Sequence, residues 1–168
     1  MEKRIETERL ILRPLTENDV NDVFEWAGDP IVNKYMPYPV HKSPVTVQEW
    51  IRTINPENNE FGFVLKENGK VIGSGNIRPE SETQYTVGYN INRAYWGKGY
   101  ATEAASAMIR WAHDTLGIQE FTAQHATANT ASGNVLRKCG FQIDHYGQYS
   151  RYDGSETFDA TFLKMHID

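Results

Sequence analysis

With Cys139 as its only cysteine, the chain forms no intramolecular disulfide and has to be held together by packing. Long apolar runs are missing as well. Nothing approaches the ~18 residues of a membrane span, and the opening Met1-Glu2-Lys3-Arg4-Ile5-Glu6 lacks the apolar core of a secretory signal. Positive charge is in deficit, with 17 Lys and Arg against 22 Asp and Glu and a net charge of −5. That balance disfavours a nucleic-acid backbone as main partner and is compatible with cationic, amine-bearing ligands, although a charged solvated surface gives the same number. The five histidines show no paired metal-ligand spacing. Repeats, low-complexity tracts and linkers are absent too. What remains is the expectation of a soluble, cytoplasmic, metal-free chain forming one domain over 1–168, large enough to bury roughly two-thirds of its unfolded surface.

The elements can be read from spacing. Arg9 to Leu15 alternates as a strand, and Thr16 to Asp19 supplies cap-type residues before Val20, Val23, Phe24 and Ala27 at helical spacing. Gly28-Asp29-Pro30 stops that helix. An aromatic, proline-rich connector follows to Pro44, and a short helix is expected over Val47 to Ile54. Phe61–Leu65 and Lys70–Ile77 read as strands joined by an Asn68-Gly69 hairpin turn, and Gln84–Ile91 as a third, in which Gly88 suggests a bulge or a close approach to the backbone. Ala101, Ala104, Ala105, Met108, Ile109, Ala112 and Leu116 then recur as one helical face ending at Gly117. A strand over Ile118–Ala126, a helix over Thr130–Cys139 closed by Gly140, and strands over Phe141–Tyr146 and Thr157–His166 complete the chain. Helices and strands in this order predict a mixed α/β fold with one central sheet.

The run Trp96-Gly97-Lys98-Gly99-Tyr100-Ala101-Thr102 opens the long helix and carries the strongest functional signal. Glycines permit a tight turn and close approach, and the first-turn amides of a helix are free donors at its positive end, so a phosphate is the expected guest. A nucleoside-triphosphate loop needs two glycines five residues apart followed by Lys and Ser or Thr, which is absent. A dinucleotide loop needs a third glycine where Thr102 stands and an acidic residue ~20 residues on, and neither is met convincingly.

Together with further blocks, this run resembles the GCN5-related N-acetyltransferases (GNAT), and within them the ribosomal-protein alanine acetyltransferase branch. The blocks are Thr7-Glu8-Arg9-Leu10-Ile11-Leu12-Arg13-Pro14-Leu15, Gly88-Tyr89, Trp96-x-x-Gly99-x-Ala101 followed by Thr102-Glu103-Ala104, and Asn129-x-x-Ser132-x-x-Val135-Leu136-x-Lys138-x-Gly140-Phe141. The resemblance implies a mostly antiparallel sheet of about six to seven strands flanked by about four helices. It also implies acetyl-CoA as donor, with no metal. The pyrophosphate would be held by Gly97, Lys98, Gly99, Tyr100, Ala101 and Thr102, the pantetheine arm by the strand edge at Tyr89, Asn90 and Ile91, and the thioester end flanked by Asn129.

The chain departs from the family pattern in three places. Trp96 replaces Gln or Arg in the loop signature. Leu136 stands where many members carry the tyrosine that protonates the leaving thiolate, which passes that role by resemblance to Ser132. Thr86 stands where many carry a glutamate base. Asn129 and Ser132 equally suit capping of the last helix, and Glu103 suits a helix-dipole or local structural role. His125 on its strand offers a proton relay or plain packing. Trp26, Tyr35 and Met36 are the expected lining of the acceptor site. A thiol has a pKa near ~8.5 and a backbone α-amine about 8, so neither a strong acid nor a strong base is required for transfer to an α-amine. By resemblance, the first-choice acceptor is a protein N-terminus, with a small amine (polyamine, amino acid or aminoglycoside) second and a non-catalytic acyl-CoA sensor as the alternative class. A monomer or homodimer without membrane or direct nucleic-acid partners is expected.

Overall fold

Antiparallel pairing runs through the whole sheet except at one junction, and that junction shapes the molecule. The computed structural model describes residues 3–168. In chain order the elements are β1 (Ile5–Glu6), β2 (Leu10–Arg13), α1 (Val20–Ala27), α2 (Pro44–Arg52), β3 (Glu60–Leu65), β4 (Val71–Pro79), β5 (Gln84–Ile91), α3 (Tyr100–Leu116), β6 (Glu120–Ala126), α4 (Thr130–Cys139), β7 (Gln142–Ser150) and β8 (Thr157–His166). They form an eight-stranded sheet in the order β1-β2-β3-β4-β5-β6-β8-β7.

The parallel junction is β5 with β6, and it is paired only from Gln84 to Thr86 against Glu120 to Thr122. From there β5 continues beside β4 and β6 continues beside β8, so the two strands diverge and leave a wedge open toward their C-terminal ends. An unpaired strand edge inside a sheet is a set of unmet backbone donors and acceptors, available to a ligand that can add to it.

Helix α3 fills one face of the sheet. Its buried Ala104, Ala105, Met108, Ile109 and Ala112 pack with Phe61, Phe63, Ile77 and Ile91 in the larger core. The glycines of β4 make that approach feasible: a Cβ on Gly75 would lie 2.7 Å from Phe63 Cζ and 2.9 Å from Met108 Cε. On the opposite face α1 and α2 bury Val23, Trp26, Val47 and Ile51 against Val64 and Val71. A register shift at Phe63/Val64 lets Ile72 face α3 while the neighbouring Val71 faces α1.

The sheet has one strand more than the six to seven expected. The addition is β1, whose two residues are too few to show alternation and exist as a strand only through pairing with Ile11 and Leu12. Helix α2 begins at Pro44, earlier than Val47, because Ser43 occupies the N-cap position and proline is tolerated in the first turn. The Asn68-Gly69 turn forms as expected, with Gly69 at φ 76° and the Lys70 amide donating to Asn68 Oδ1 at 3.0 Å. Gly88 makes no bulge, since the β4–β5 register runs unbroken through Asn76↔Gly88.

Candidate active site

The glycine run connects the open end of β5 to the start of α3. Gly97 and Gly99 take left-handed conformations, with φ 74° and 85°, a region that favours glycine because it has no Cβ. Gly99 is the N-cap of α3, and the first intrahelical bond runs from the Glu103 amide to the Gly99 carbonyl at 3.1 Å. The amides of Tyr100, Ala101 and Thr102 precede that bond and are available at the positive end of a seventeen-residue helix. No atom lies within 4 Å of where a Cβ on Gly97 would sit, so the loop has room above it for an anionic group. Lys98 extends its ammonium over the Tyr95 ring, 5.7 Å from the centroid.

Two contacts hold this loop in place. Trp96 Nε1 donates to the Ile91 carbonyl at 2.8 Å, which gives the residue replacing Gln or Arg a structural task. Glu103 reaches back to the β1–β2 turn, accepting from Thr7 Oγ1 at 2.6 Å, the Arg9 amide at 2.9 Å and Arg9 Nε at 2.8 Å. Arg9 in turn stacks over the Tyr100 ring at 4.1 Å and donates to the Lys98 carbonyl at 2.9 Å. Burial alone would raise the Glu103 carboxyl, but these hydrogen bonds and the guanidinium outweigh it and hold the group below the ordinary carboxylate range. Glu103 is thus the local structural residue that its first-turn position suggested.

The alternation of β5 decides which residues face the wedge. The Asn92 amide donates to the Ile72 carbonyl at 2.7 Å, in the register that pairs Ile91 with Gly73. Because hydrogen-bonded and non-bonded pairs alternate in an antiparallel ladder, Asn90 and Gly88 spend their backbone groups on β4. Tyr89 and Ile91 turn theirs toward the wedge. Asn90 therefore departs from the expected cofactor edge: its backbone pairs with Ser74, and its buried side chain donates to Asn33 Oδ1 at 3.0 Å on the face away from α3.

Tyr89 meets the start of α4. Its hydroxyl is 3.0 Å from Ser132 Oγ and donates to the Ser132 carbonyl at 3.3 Å, and burial pushes the phenol up from its usual value. Asn129 caps α4, accepting from the Ser132 amide at 3.3 Å. Leu136, in place of the family's tyrosine, is 1% exposed in the core and has no proton to give. His125 is packed against Gly133; its Nδ1–H donates to the Ala126 carbonyl at 2.7 Å and its buried Nε2 has no protein partner.

On the other face, the connector between α1 and α2 lies over β4 and β5. Asn33 Nδ2 ties it to the Trp26 and Asp29 carbonyls at 2.7 and 2.8 Å, and the Tyr38 hydroxyl meets Asn90 at 3.5 Å. Arg151 donates to the Met36 and Lys34 carbonyls at 2.9 and 2.7 Å, and the Tyr149 hydroxyl donates to the Tyr35 carbonyl. Tyr35 and Met36 are therefore anchored at the rim, with the Tyr35 ring edge-on to Phe158 at 5.8 Å. Trp26, also expected there, is 2% exposed and belongs to the α1–α2 core, so its ring offers no surface to an acceptor.

Sequence reasoning missed Glu60. It opens β3, in register with Asn76 of β4, and accepts from Asn76 Nδ2 at 2.8 Å. Burial pushes its carboxyl up, opposed by hydrogen bonds from Asn76 and Ser74 and by the Arg78 charge. Its signal was parity: Glu60 is polar on a strand whose next five residues are buried. Among the described residues no group of three His, Cys, Asp or Glu is placed to hold a metal, and no helix is long and apolar enough to cross a membrane.

Comparison with known proteins agrees with this geometry. The family described as Acetyltransferase (GNAT) domain matches residues 9–142. The uncharacterized N-acetyltransferase p20 of Bacillus licheniformis is 30% identical over 143 residues, covering 81% of this chain and 80% of its own. A ribosomal protein uS5-alanine N-acetyltransferase of Escherichia coli is 26% identical over 168 residues, covering 90% and 84%. A GNAT-family acetyltransferase of Bacillus anthracis superposes with a TM-score of 0.88 at 25% identity, over 97% of this chain and 98% of that one. An interrupted sheet, a glycine loop on a helix N-terminus and a family match over most of the chain lead to one conclusion: the chain belongs to the GNAT acetyltransferase family and is an N-acetyltransferase with acetyl-CoA as its donor.

Proposed function

We propose that the protein transfers the acetyl group to a primary amine by direct attack within a ternary complex, and that the amine is a protein N-terminal α-amine. The observation that carries the mechanism is the wedge between β5 and β6, which places a free strand edge, the α3 N-terminus and the Tyr89–Ser132 hydroxyl pair around one opening. The amides of Gly97 to Thr102 hold the pyrophosphate, and Tyr89 and Ile91 pair with the pantetheine arm. The Ile91 amide is the wedge-facing donor suited to the thioester carbonyl, since its own carbonyl is taken by Trp96. Asn129 sets the start of α4 beside the thioester.

In the reaction, the neutral amine attacks the carbonyl carbon, the carbon–sulfur bond breaks, and the thiolate takes a proton from Ser132, which recovers it through Tyr89 and water from the proton that the amine releases. An α-amine with a pKa of about 8 is partly neutral at pH 7, so water suffices to remove its proton, and most of the rate comes from holding both reactants in place. The similarity to a ribosomal-protein alanine acetyltransferase supports the N-terminal acceptor. The connector roof, tied down by Arg151 and Tyr149, favours a slender acceptor and keeps small amines as the second reading.

The test is thiol release at saturating acetyl-CoA with alanine-initiated peptides and with polyamines. Release that depends on peptide and is acetylated at the α-amine supports the reading; release with polyamines alone moves it to small amines, and no acceptor-dependent release overturns it.

A further inference from the structure

The acceptor side of the wedge contains a glycine that the protein's own packing does not require. In β4, a Cβ on Gly73 would fall 2.5 Å from the Asn90 carbonyl oxygen, and one on Gly75 would fall 2.6 Å from the Gly88 carbonyl oxygen, so those positions must stay bare. Gly88 is different. A Cβ there would meet only Asn76 Oδ1 at 3.6 Å and Arg78 Nη1 at 4.0 Å, both ordinary contacts. Its strand conformation demands no glycine either, since it is absent from the residues with positive φ. A glycine inside a strand costs backbone entropy and contributes no packing, so one that the fold does not need marks room kept for something else.

The surroundings of that room are polar and ordered. Asn76 stands opposite Gly88, donating from Nδ2 to Glu60 and holding Oδ1 over the glycine. The amide orientation is fixed, because Nδ2 must face the carboxylate. Arg78 Nη1 also donates to Asn76 Oδ1 at 3.3 Å from an exposed position, where it can swing into solvent. Ser74 and Asn90 continue the polar face, and Tyr38 roofs it. The charged and titratable groups around Glu60 are Arg78 on β4 and Tyr38 on the connector, with Tyr152 beyond it. A desolvated carboxylate with one exposed guanidinium nearby is a site that gains from a second cation.

We propose that Gly88, Asn76 and Glu60 form the acceptor subsite, in which a cationic primary amine rests on the bare face of Gly88, donates an N–H to Asn76 Oδ1, and is drawn there by the Glu60 carboxylate behind it. Glu60 is a positioning residue: it fixes the Asn76 amide and supplies the opposing charge. The neighbouring Tyr89 turns its backbone to the wedge, so an amine on Gly88 is one residue from the strand edge assigned to the donor. This subsite rests on the acyl-transfer reading for its purpose, but its binding is measurable without turnover.

The test is calorimetric titration of the CoA-loaded chain with alanine amide, a cationic α-amine, and with N-acetyl-alanine amide, its neutral counterpart. The cation should bind the parent, and Gly88→Ala and Glu60→Gln should each weaken it at least tenfold while CoA affinity and Tm stay as in the parent. The neutral compound should bind all three chains equally poorly. In turnover the same substitutions should raise KM for the amine more than they lower kcat. No binding of alanine amide to the parent, or affinities within twofold across the three chains, overturns the subsite. Binding as expected with no turnover in the parent leaves the subsite standing and counts against the acyl-transfer reading alone.

Discussion

The Tyr89 hydroxyl lies 3.0 Å from Ser132 Oγ, joining β5 to the first turn of α4 across the mouth of the wedge. Like any phenol it is protonated at neutral pH, and burial pushes it further up, so the pair carries a proton where Leu136 has none.

If the two hydroxyls act as one relay, their losses do not multiply. Tyr89→Phe and Ser132→Ala should each lower kcat by about tenfold or more, and the double variant should be no slower than the worse single one. Steady-state kinetics of the three chains checks this. Multiplicative losses would mean that the two groups work independently.

The glycines of β4 and β5 should separate cleanly in stability. Gly75→Ala forces a methyl against Phe63, Met108 and the Gly88 carbonyl and should cost about 1–3 kcal/mol, whereas Gly88→Ala should leave the unfolding midpoint within about 2 °C of the parent. Thermal denaturation of both chains reads the difference.

The clamp from Glu103 to Thr7 and Arg9 should appear in acid. Its folded carboxyl lies below the unfolded value of about 4.3, so its contribution is complete above that pH and fades as pH falls through the lower folded value. Tm should therefore drop more steeply below about pH 4.5 in the parent than in Glu103→Gln, with the variant already less stable at pH 7. Parallel Tm–pH curves for the two chains would show that the clamp contributes no titrating stability.

Much of this architecture can be read from periodicity. The α3 face and its glycine ends are visible because Ala104, Ala105, Met108 and Ile109 repeat at helical spacing and a left-handed glycine has few other uses at Gly99 and Gly117. The acceptor side is harder. Glu60, Asn76 and Gly88 lie far apart in the chain and share one face only through strand register, which one-strand alternation cannot supply. Asn90 shows the same limit at single-residue scale: its place next to Tyr89 in the chain suggested a shared edge, but the ladder turns adjacent residues in opposite directions. Trp26, expected at the acceptor rim, lies three residues after Val23 and beside Ala27 on the stripe that packs under α2, and that helical spacing is the physical reason it sits in the core.

The donor site is the centre of the account, and amide chemical-shift mapping tests it without altering a residue. On titration of the isotope-labelled chain with coenzyme A, the largest shifts should fall on the amides of Gly97 to Thr102 and on those of Tyr89 and Ile91, with the Asn90 amide, committed to β4, moving less. Shifts that leave Gly97 to Thr102 unmoved and gather elsewhere on the molecule would contradict it.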